Sequence, residues 1–332
     1  MPCRLLEDDM PKVPTLAWLA LAYPFLTVAE TKPATDTSVR TIVTLGHRYG
    51  PAPITLTRND LAVTQNYDPL PVTNLVPLRG ELAGLELFVL VDNCSSCEAG
   101  TQFEELSRFI VSQPSTTAVG IAYIDVGRLQ VAVNPTFDRQ RAIQGLSTPS
   151  GNKPSDPFRP LVALIKGWQE NASRHVVLMI STGFDPAAAA KDAPTDPSAE
   201  AAIEAAQRAG VAVYAIYHPS ADFRTTDYSK LHYGQVQLAH VAVETGGEAY
   251  FTDFGPLPSL APFLVDLADH LANQYLLEFR TRSAPPPGAL QHITIKSTLP
   301  DVELMAPYRV WVPGAMPAHK GDGHEGHPQT RL

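Results

Sequence analysis

The spacing of apolar residues changes along the chain, and each spacing predicts a different kind of element. Between residues 38 and 80, short runs alternate apolar and polar positions, as at 39–43 and 61–64. The dipeptides Gly50-Pro51 and Asp68-Pro69 interrupt these runs. Alternation with a period of two is typical of strands that have one exposed face, and Gly and Pro favour turns between them. We therefore predict a small β region over residues 38–80.

From residue 85 onward, nearly continuous apolar runs alternate with segments whose apolar residues recur at helical spacing. The predicted strands are 85–91, 118–124, 129–133, 176–180, 211–217 and 249–251, and the predicted helices are 101–111, 139–146, 160–169, 199–209, 235–244 and 260–272. The strands at 118–124 and 129–133 form a hairpin. Apolar strands that alternate with helices favour a largely parallel sheet covered on both faces. Residues 85–273 are thus predicted to form a doubly wound α/β domain of about six strands.

The alternating pattern returns after residue 273, at 275–281, 292–297 and 308–312. Because β segments then lie on both sides of the α/β block, we predict that 274–313 pairs with 38–80 in a small β-sandwich. The segment 314–332 is rich in Gly, Pro and His and shows no such pattern. It is predicted to be a disordered tail.

An apolar stretch at 16–28 follows Lys12 and ends in the small-residue pattern Thr27-Val28-Ala29. This arrangement predicts a signal peptide over residues 1–29, with Met10 as the alternative start. A helix buried in the folded domain is the competing interpretation. The stretch is short and Pro24 interrupts it, so we expect no membrane insertion of the mature form. The protein is therefore expected to be exported, to the periplasm, the cell surface or the medium.

The charge composition of the chain argues against two classes of binding partner. The formal net charge is −9, the isoelectric point is near 5.5, and no run of Lys or Arg occurs. Nucleic acids and anionic membranes both favour clustered positive charge, so neither is an expected partner. The sequence contains no G-x-S-x-G, H-E-x-x-H, phosphate-binding P-loop or G-x-G-x-x-G motif, and we expect no enzymatic activity.

Several motifs occur in one order across the α/β block. A predicted strand ends in Asp92-Asn93-Cys94-Ser95-Ser96, and a helix and a hairpin follow. Later come Ser181-Thr182-Gly183, Leu238-Ala239 and Thr245-Gly246-Gly247. Their order and spacing resemble the von Willebrand factor A (vWA) domain, over about residues 85–273. The flanking segment 274–279 resembles that of bacterial exported proteins usually described as VWFA-related.

The resemblance implies a ligand-binding function without catalysis. In the family, a divalent cation such as Mg²⁺ is held by the Asp and two Ser of D-x-S-x-S, with a Thr and an Asp from later loops. An acidic residue of a protein partner completes its shell. In this chain Asp92 and Ser96 match the first carboxylate and the second serine, while Cys94 replaces the first serine.

The positions of the loop threonine and of the later Asp match the family's pattern less well. Thr148 is the candidate for the loop threonine, but Thr182 stands where the later Asp would be, and Asp185 follows three residues further on. A thiol is a poor ligand for Mg²⁺, and a lost carboxylate removes charge that a hard cation needs. We expect a degenerate site that binds Mg²⁺ or another divalent cation weakly or not at all. The alternative is that Asp92 and Ser96 only cap the following helix.

Cys94 and Cys97 form a C-x-x-C pair directly after the strand. In an exported protein they are candidates for a local disulfide. A thioredoxin-like thiol-disulfide oxidoreductase is the alternative function, since a C-x-x-C at a helix N-terminus favours a thiolate. Asp92 and Glu98 oppose the electropositive setting that such a thiolate needs.

Other candidate contact residues come from the expected position of the loops. Asn93 and Ser95 lie in the D-x-S-x-S-like loop, and His218 and His232 flank a polar segment at 219–234 that follows a predicted strand. On a vWA scaffold these residues are expected on the rim that binds a protein ligand, whose identity the sequence does not give. The tail histidines His319, His324 and His327 are expected to be incidental.

Overall fold

A computed structural model describes residues 36–47, 55–93, 101–147, 156–169, 171, 173–189, 195–219, 228–252, 257–282 and 288–313. These residues belong to one compact unit, residues 34–332. The predicted signal peptide and tail lie outside the described residues. No helix within the described part of the chain is long and apolar enough to cross a membrane.

The strands, in chain order, are β1 Asp36–His47, β2 Leu61–Gln65, β3 Asp68–Leu70, β4 Val72–Pro77, β5 Leu85–Asp92, β6 Thr117–Asp125, β7 Arg128–Thr136, β8 Arg174–Ser181, β9 Val211–Tyr217, β10 Ala249–Tyr250, β11 Gln274–Arg282, β12 Ala289–His292, β13 Thr294–Ser297, β14 Val302–Met305 and β15 Arg309–Val312. The α-helices are α1 Thr101–Ser112, α2 Arg139–Gln144, α3 Phe158–Gly167, α4 Pro186–Ala189, α5 Pro197–Ala209, α6 Tyr228–Glu244 and α7 Ala261–Ala272. Short 3-10 helices span Arg58–Asp60 and Gly80–Ala83.

The central sheet has six strands in the order β10-β9-β8-β5-β6-β7. All neighbours are parallel except β7, which returns antiparallel to β6 as a hairpin. The order reverses between β5 and β8, as in doubly wound α/β folds, whose ligands bind outside the carboxyl ends of the strands at such a switch point. The predicted fold class is confirmed. In this topology a binding site is expected at the carboxyl ends of β5 and β8.

Successive side chains of β5 point to opposite faces of the sheet, as a fully covered strand requires. Leu87 and Val89 pack in one buried cluster with residues of α1, α2 and α7. Phe88 and Leu90 pack in a second cluster with residues of α3, α5 and α6. The helices therefore cover both faces of the sheet.

The first and last β segments of the chain pair with each other. Strands β1 and β11 run antiparallel from the pair Asp36 and Arg282 to the pair Thr44 and Gln274. Strands β14 and β4 extend this sheet at its two edges, giving the order β14-β1-β11-β4. The smaller sheets β13-β2-β3 and β12-β15 share its apolar core. The small β-sandwich beside the α/β domain, part of the predicted fold class, is therefore present.

Several local predictions differ from the structure. Asp68-Pro69, predicted as a turn, begins β3, and the turn falls at Asn66-Tyr67, where both residues have positive φ as in a tight two-residue hairpin loop. The predicted strand 292–297 is two strands, β12 and β13, separated at Ile293, while β14 was not predicted. The first residue of α6 is Tyr228 rather than residue 235, so the helix includes Gly234, a residue type that disfavours helix interiors.

Candidate functional site

Two polar side chains meet at the switch point of the central sheet. Asp92 ends β5 and is 1% exposed, and Ser181 ends the neighbouring strand β8 and is fully buried. The Ser181 hydroxyl donates a hydrogen bond of 2.7 Å to Oδ2 of Asp92 and accepts one of 3.1 Å from the Gly183 amide. A hydrogen bond to a charged acceptor is stronger than a neutral one. Ser181 therefore fixes the carboxylate that the sequence identified as the first ligand.

The loop after β8 is pressed against α6. A Cβ atom on Gly183 would lie 2.3 Å from the Gly234 carbonyl oxygen, and one on Gly234 would lie 2.1 Å from the Thr182 carbonyl oxygen. Gly183 also has a φ of +63°, a conformation that glycine adopts without strain. Thr182 itself is buried, and its hydroxyl accepts a hydrogen bond from the Phe184 amide at 3.3 Å. The backbone contact leaves little room for this loop to move.

Asp185 lies at the start of α4. Its Oδ1 accepts a hydrogen bond of 2.9 Å from the Ala187 amide, and its carbonyl oxygen accepts one of 3.0 Å from Ala189. The side chain is buried, at 6% exposure. A carboxylate in this position satisfies a backbone donor at a helix start. The structure thus gives Asp185 a capping contact, and its role as a cation ligand remains a prediction.

The predicted rim residues occupy different environments. His218 follows β9 but is buried, with ring Nε2 3.2 Å from Gln102 Oε1 and its amide donating to the Ser181 carbonyl at 2.9 Å. Its ring is therefore not a surface contact of the kind expected for a rim loop. His232 lies within α6 rather than in a loop, and it is exposed. Asn93 is half-buried directly after β5. Of these three residues, Asn93 and His232 are accessible.

Several predicted site residues lie outside the described residues, and they remain predictions: Cys94, Ser95, Ser96, Cys97 and Thr148. Two buried polar residues that the sequence did not single out, Ser181 and Gln102, contribute to the edge. Ser181 is the first residue of the motif Ser181-Thr182-Gly183, which is a signal that could have identified it. Gln102, whose Nε2 donates to the Leu257 carbonyl at 2.7 Å, had no such signal.

The described donors at this edge are oxygen atoms of four residues, and cation binding there remains a prediction. Mg²⁺ and Ca²⁺ prefer several oxygen ligands that include carboxylates. The described edge offers the Asp92 carboxylate, the hydroxyls of Ser181 and Thr182, and the Asp185 carboxylate, whose Oδ1 accepts a hydrogen bond from α4. Within the described ranges, the only group of three or more carboxylate, imidazole or thiol ligands lies elsewhere, at Glu248, Asp266 and His270.

That second cluster surrounds the end of α7. His270 Nδ1 is 3.3 Å from Asp266 Oδ2 and 3.6 Å from Glu248 Oε2, and the Tyr250 hydroxyl donates to Asp266 Oδ2 at 2.9 Å. Burial raises the pKa of Glu248, and the negative charges of Asp266 and Glu303 raise it further, while His270 lowers it. Negative charge is therefore concentrated around one buried imidazole.

The known proteins that this chain resembles are solved structures, and their structural similarity to it is low. No model of a known protein family matches the chain, and no curated protein matches it. An aerotolerance-related membrane protein from Bacteroides fragilis is 15% identical with a TM-score of 0.41, and the match covers 57% of this chain and 98% of that one. Proximal thread matrix protein 1 from the mussel byssus is also 15% identical with a TM-score of 0.41, over 58% of this chain and 46% of that one.

A third solved structure, the vWF domain of the type V pili tip protein Mfa5 from Porphyromonas gingivalis, is 11% identical with a TM-score of 0.40. The match covers 56% of this chain and 94% of that domain. The chain spans about half the length of the mussel protein, at 46%. The strand order, the single antiparallel hairpin strand and the helices on both faces define the α/β domain as vWA-like, which agrees with the resemblance found in the sequence.

Proposed function

We propose that the protein is an exported, non-enzymatic binding module that recognises a protein partner at the carboxyl edge of its central sheet. We further propose that this recognition does not depend on a divalent cation at that edge. The observation that carries it is the change at two ligand positions: Cys94 stands where the family has a serine and Thr182 where it has a carboxylate, which removes an oxygen ligand and a charge that a hard cation needs. Export is supported by the apolar stretch at 16–28 and its small-residue end.

The rigidity of the edge supports recognition. Close backbone contact holds the loop after β8 against α6, and buried hydrogen bonds hold Asp92, Ser181 and His218. Binding to a preorganised surface costs less conformational entropy than binding to a mobile one. Asn93 and His232 are the accessible described residues at or near this edge, and Ser95 is predicted to join them. They form the proposed contact surface.

The oxidoreductase alternative gains no support. Its cysteines, Cys94 and Cys97, lie outside the described residues, and a disulfide between them remains a prediction. Strands β8, β9 and β10 belong to the six-stranded sheet. A thioredoxin-like fold does not account for this part of the chain. The binding module is therefore the function we retain.

Site-specific photo-crosslinking tests where the partner binds. A photoreactive residue at position 93, beyond the carboxyl end of β5, is expected to give a discrete protein adduct in intact cells. EDTA should leave the yield of this adduct unchanged. The matched control is position 82, which precedes the amino end of the same strand and whose Leu82 side chain is 58% exposed. Equal adducts from both positions would contradict the assignment of the edge, and loss of the adduct in EDTA would contradict its independence from metal.

Calorimetry tests the same independence on the purified chain. Titration with Mg²⁺ is expected to show no saturable binding at sub-millimolar concentration, because Cys94 and Thr182 replace a serine and a carboxylate of the family's site. Asp92→Ala should give the same flat titration. Sub-millimolar binding in the parent protein that disappears in Asp92→Ala would show that the edge holds a cation after all.

A further inference from the structure

Two carboxylates and an imidazole converge at a place far along the chain from the D-x-S-x-S-like loop. Glu248 directly precedes β10, while Asp266 and His270 lie one turn apart on α7, where residues i and i+4 share a face. We propose that Glu248, Asp266 and His270 bind a Zn²⁺ ion through Oε2, Oδ2 and Nδ1. This site is independent of the proposed recognition edge.

The spacing of the three atoms matches a tetrahedral metal ion. Zinc binds histidine nitrogen at about 2.0–2.1 Å and carboxylate oxygen at about 2.0–2.2 Å, which places two tetrahedral ligands about 3.3–3.5 Å apart. His270 Nδ1 is 3.3 Å from Asp266 Oδ2 and 3.6 Å from Glu248 Oε2. All three atoms lie within 4.8 Å of one another.

The ligand types select the metal. A mixed nitrogen and oxygen set with an imidazole suits Zn²⁺ and other late first-row ions better than Mg²⁺ or Ca²⁺, which prefer oxygen alone. Three protein ligands leave the fourth position of a tetrahedral ion for water or another donor. A cavity of about 340 Å³ lined by Glu248, His270 and Glu303 provides the space for it.

Neighbouring side chains hold the three ligands in position, and two of the ligands are open to solvent. His270 is 9% exposed in its side chain and stacks near Tyr214, with ring centroids 6.1 Å apart, so its ring has a fixed setting. Glu248 and Asp266 are 43% and 51% exposed, which opens the cluster to solvent. The Tyr250 hydroxyl donates to Asp266 Oδ2 at 2.9 Å. Hydrogen bonds of this kind orient metal-binding carboxylates and raise affinity.

A bound ion would connect three parts of the molecule. Glu248 belongs to the edge of the central sheet, and Asp266 and His270 belong to α7. Glu303 of β14 and Gly46 of β1 line the same cavity, which therefore extends to the β-sandwich. Zinc at this position would fasten α7 to the edge strand, beside the sandwich.

Competition with a chromophoric chelator measures Zn²⁺ affinity in the full chain. We expect one equivalent to bind, and we expect Glu248→Gln, Asp266→Asn and His270→Ala each to weaken binding at least tenfold. Tyr250→Phe removes a hydroxyl that contacts both Asp266 Oδ2 and His270 Nδ1 without being a ligand itself, and it should weaken binding by about tenfold. Co²⁺ substitution should give the visible absorption of a four-coordinate ion, a signal that these ligand variants lose.

Matched controls separate this site from other histidines. His240→Ala removes an imidazole that pairs with Glu200 at 2.9 Å on another surface, and it should leave Zn²⁺ affinity unchanged. Joint replacement of His319, His324 and His327 by alanine, and Asp92→Asn, should do the same. Circular dichroism checks folding, and the exposed Glu248→Gln and Asp266→Asn variants remain informative if His270→Ala fails to fold. Unchanged affinity in those two variants, loss of binding on replacement of the tail histidines, or no zinc binding by the parent chain would each overturn the proposal.

Discussion

Replacing Gly234 by alanine is expected to lower the free energy of unfolding by about 3 kcal/mol, the upper part of the range for overpacked sites. Gly234 lies inside α6, where alanine is normally favoured over glycine by about 1 kcal/mol. Here the added Cβ would lie 2.1 Å from the carbonyl oxygen of Thr182. The obstructing atom belongs to the backbone, so no side-chain rotation relieves the clash. Steric conflict with the loop after β8 should outweigh helix propensity.

Urea unfolding followed by circular dichroism measures this effect, and Gly167→Ala is the matched control. Gly167 is the last residue of α3, and a Cβ atom there would meet nothing within 4 Å. The control should therefore be neutral or more stable, by up to about 1 kcal/mol. If Gly234→Ala also proved neutral or stabilising, α6 and the β8 loop would not be in the close contact described.

Arg174→Ala is expected to lower the free energy of unfolding by about 2–4 kcal/mol, because several partly buried acceptors lose a charged hydrogen-bond donor. Arg174 begins β8, and its guanidinium donates to the carbonyl oxygens of Leu271 and Ala83, each at 3.0 Å, and to Gln274 Oε1 at 2.5 Å. Leu271 lies in the last turn of α7, where the helix dipole favours a cation. Burial lowers the pKa of Arg174 to about 10, so the side chain stays charged at neutral pH.

The expected loss of stability in Arg174→Ala comes from the acceptors that lose their hydrogen-bond donor. Removal of the guanidinium leaves the partly buried carbonyl oxygens of Leu271 and Ala83 and the side-chain oxygen of Gln274 without this donor, and a buried acceptor without a partner costs about 1–3 kcal/mol. Thermal or urea unfolding measures the loss. Arg174→Lys should retain part of the stability, because one ammonium cannot reach all the acceptors of a planar guanidinium. Arg128→Ala, at an exposed residue of β7, should change stability little. A similar small effect from Arg174→Ala would contradict this account.

The fold could largely be predicted because the sequence pattern of its central strands is unambiguous. Leu85 to Val91 is almost entirely apolar, which is the signature of a strand covered on both faces, and β5 has this environment. The Gly210 that follows α5 has a φ of +66°, as expected for a glycine that ends a helix. Such features are local, so a single sequence displays them.

The differences arise where distant contacts decide the outcome. The prediction that Gly234 ends a polar segment before a helix from residue 235 is wrong, and the close approach of Thr182 explains a glycine inside α6. His218 is expected on the binding rim because it follows a strand and precedes a polar segment, but Gln102 and the backbone of Ser181 hold it inside. Asp266 and His270 show helical spacing in the sequence, whereas the approach of Glu248 depends on tertiary structure. Contacts of this kind have no local signal.

The pairing of β1 with β11 has a consequence for synthesis. Gln274 donates a side-chain hydrogen bond to Thr44 across 230 residues of sequence, so the whole α/β domain lies between the two strands. At about 5–20 residues per second, ribosomes need roughly 10–50 seconds to make that interval. Throughout this time β1 lacks the partner that covers one of its edges, and an uncovered edge readily pairs with other chains. A nascent chain of this kind should therefore bind holding chaperones at its first strand, and ribosome-bound chains that stop before residue 274 should retain them.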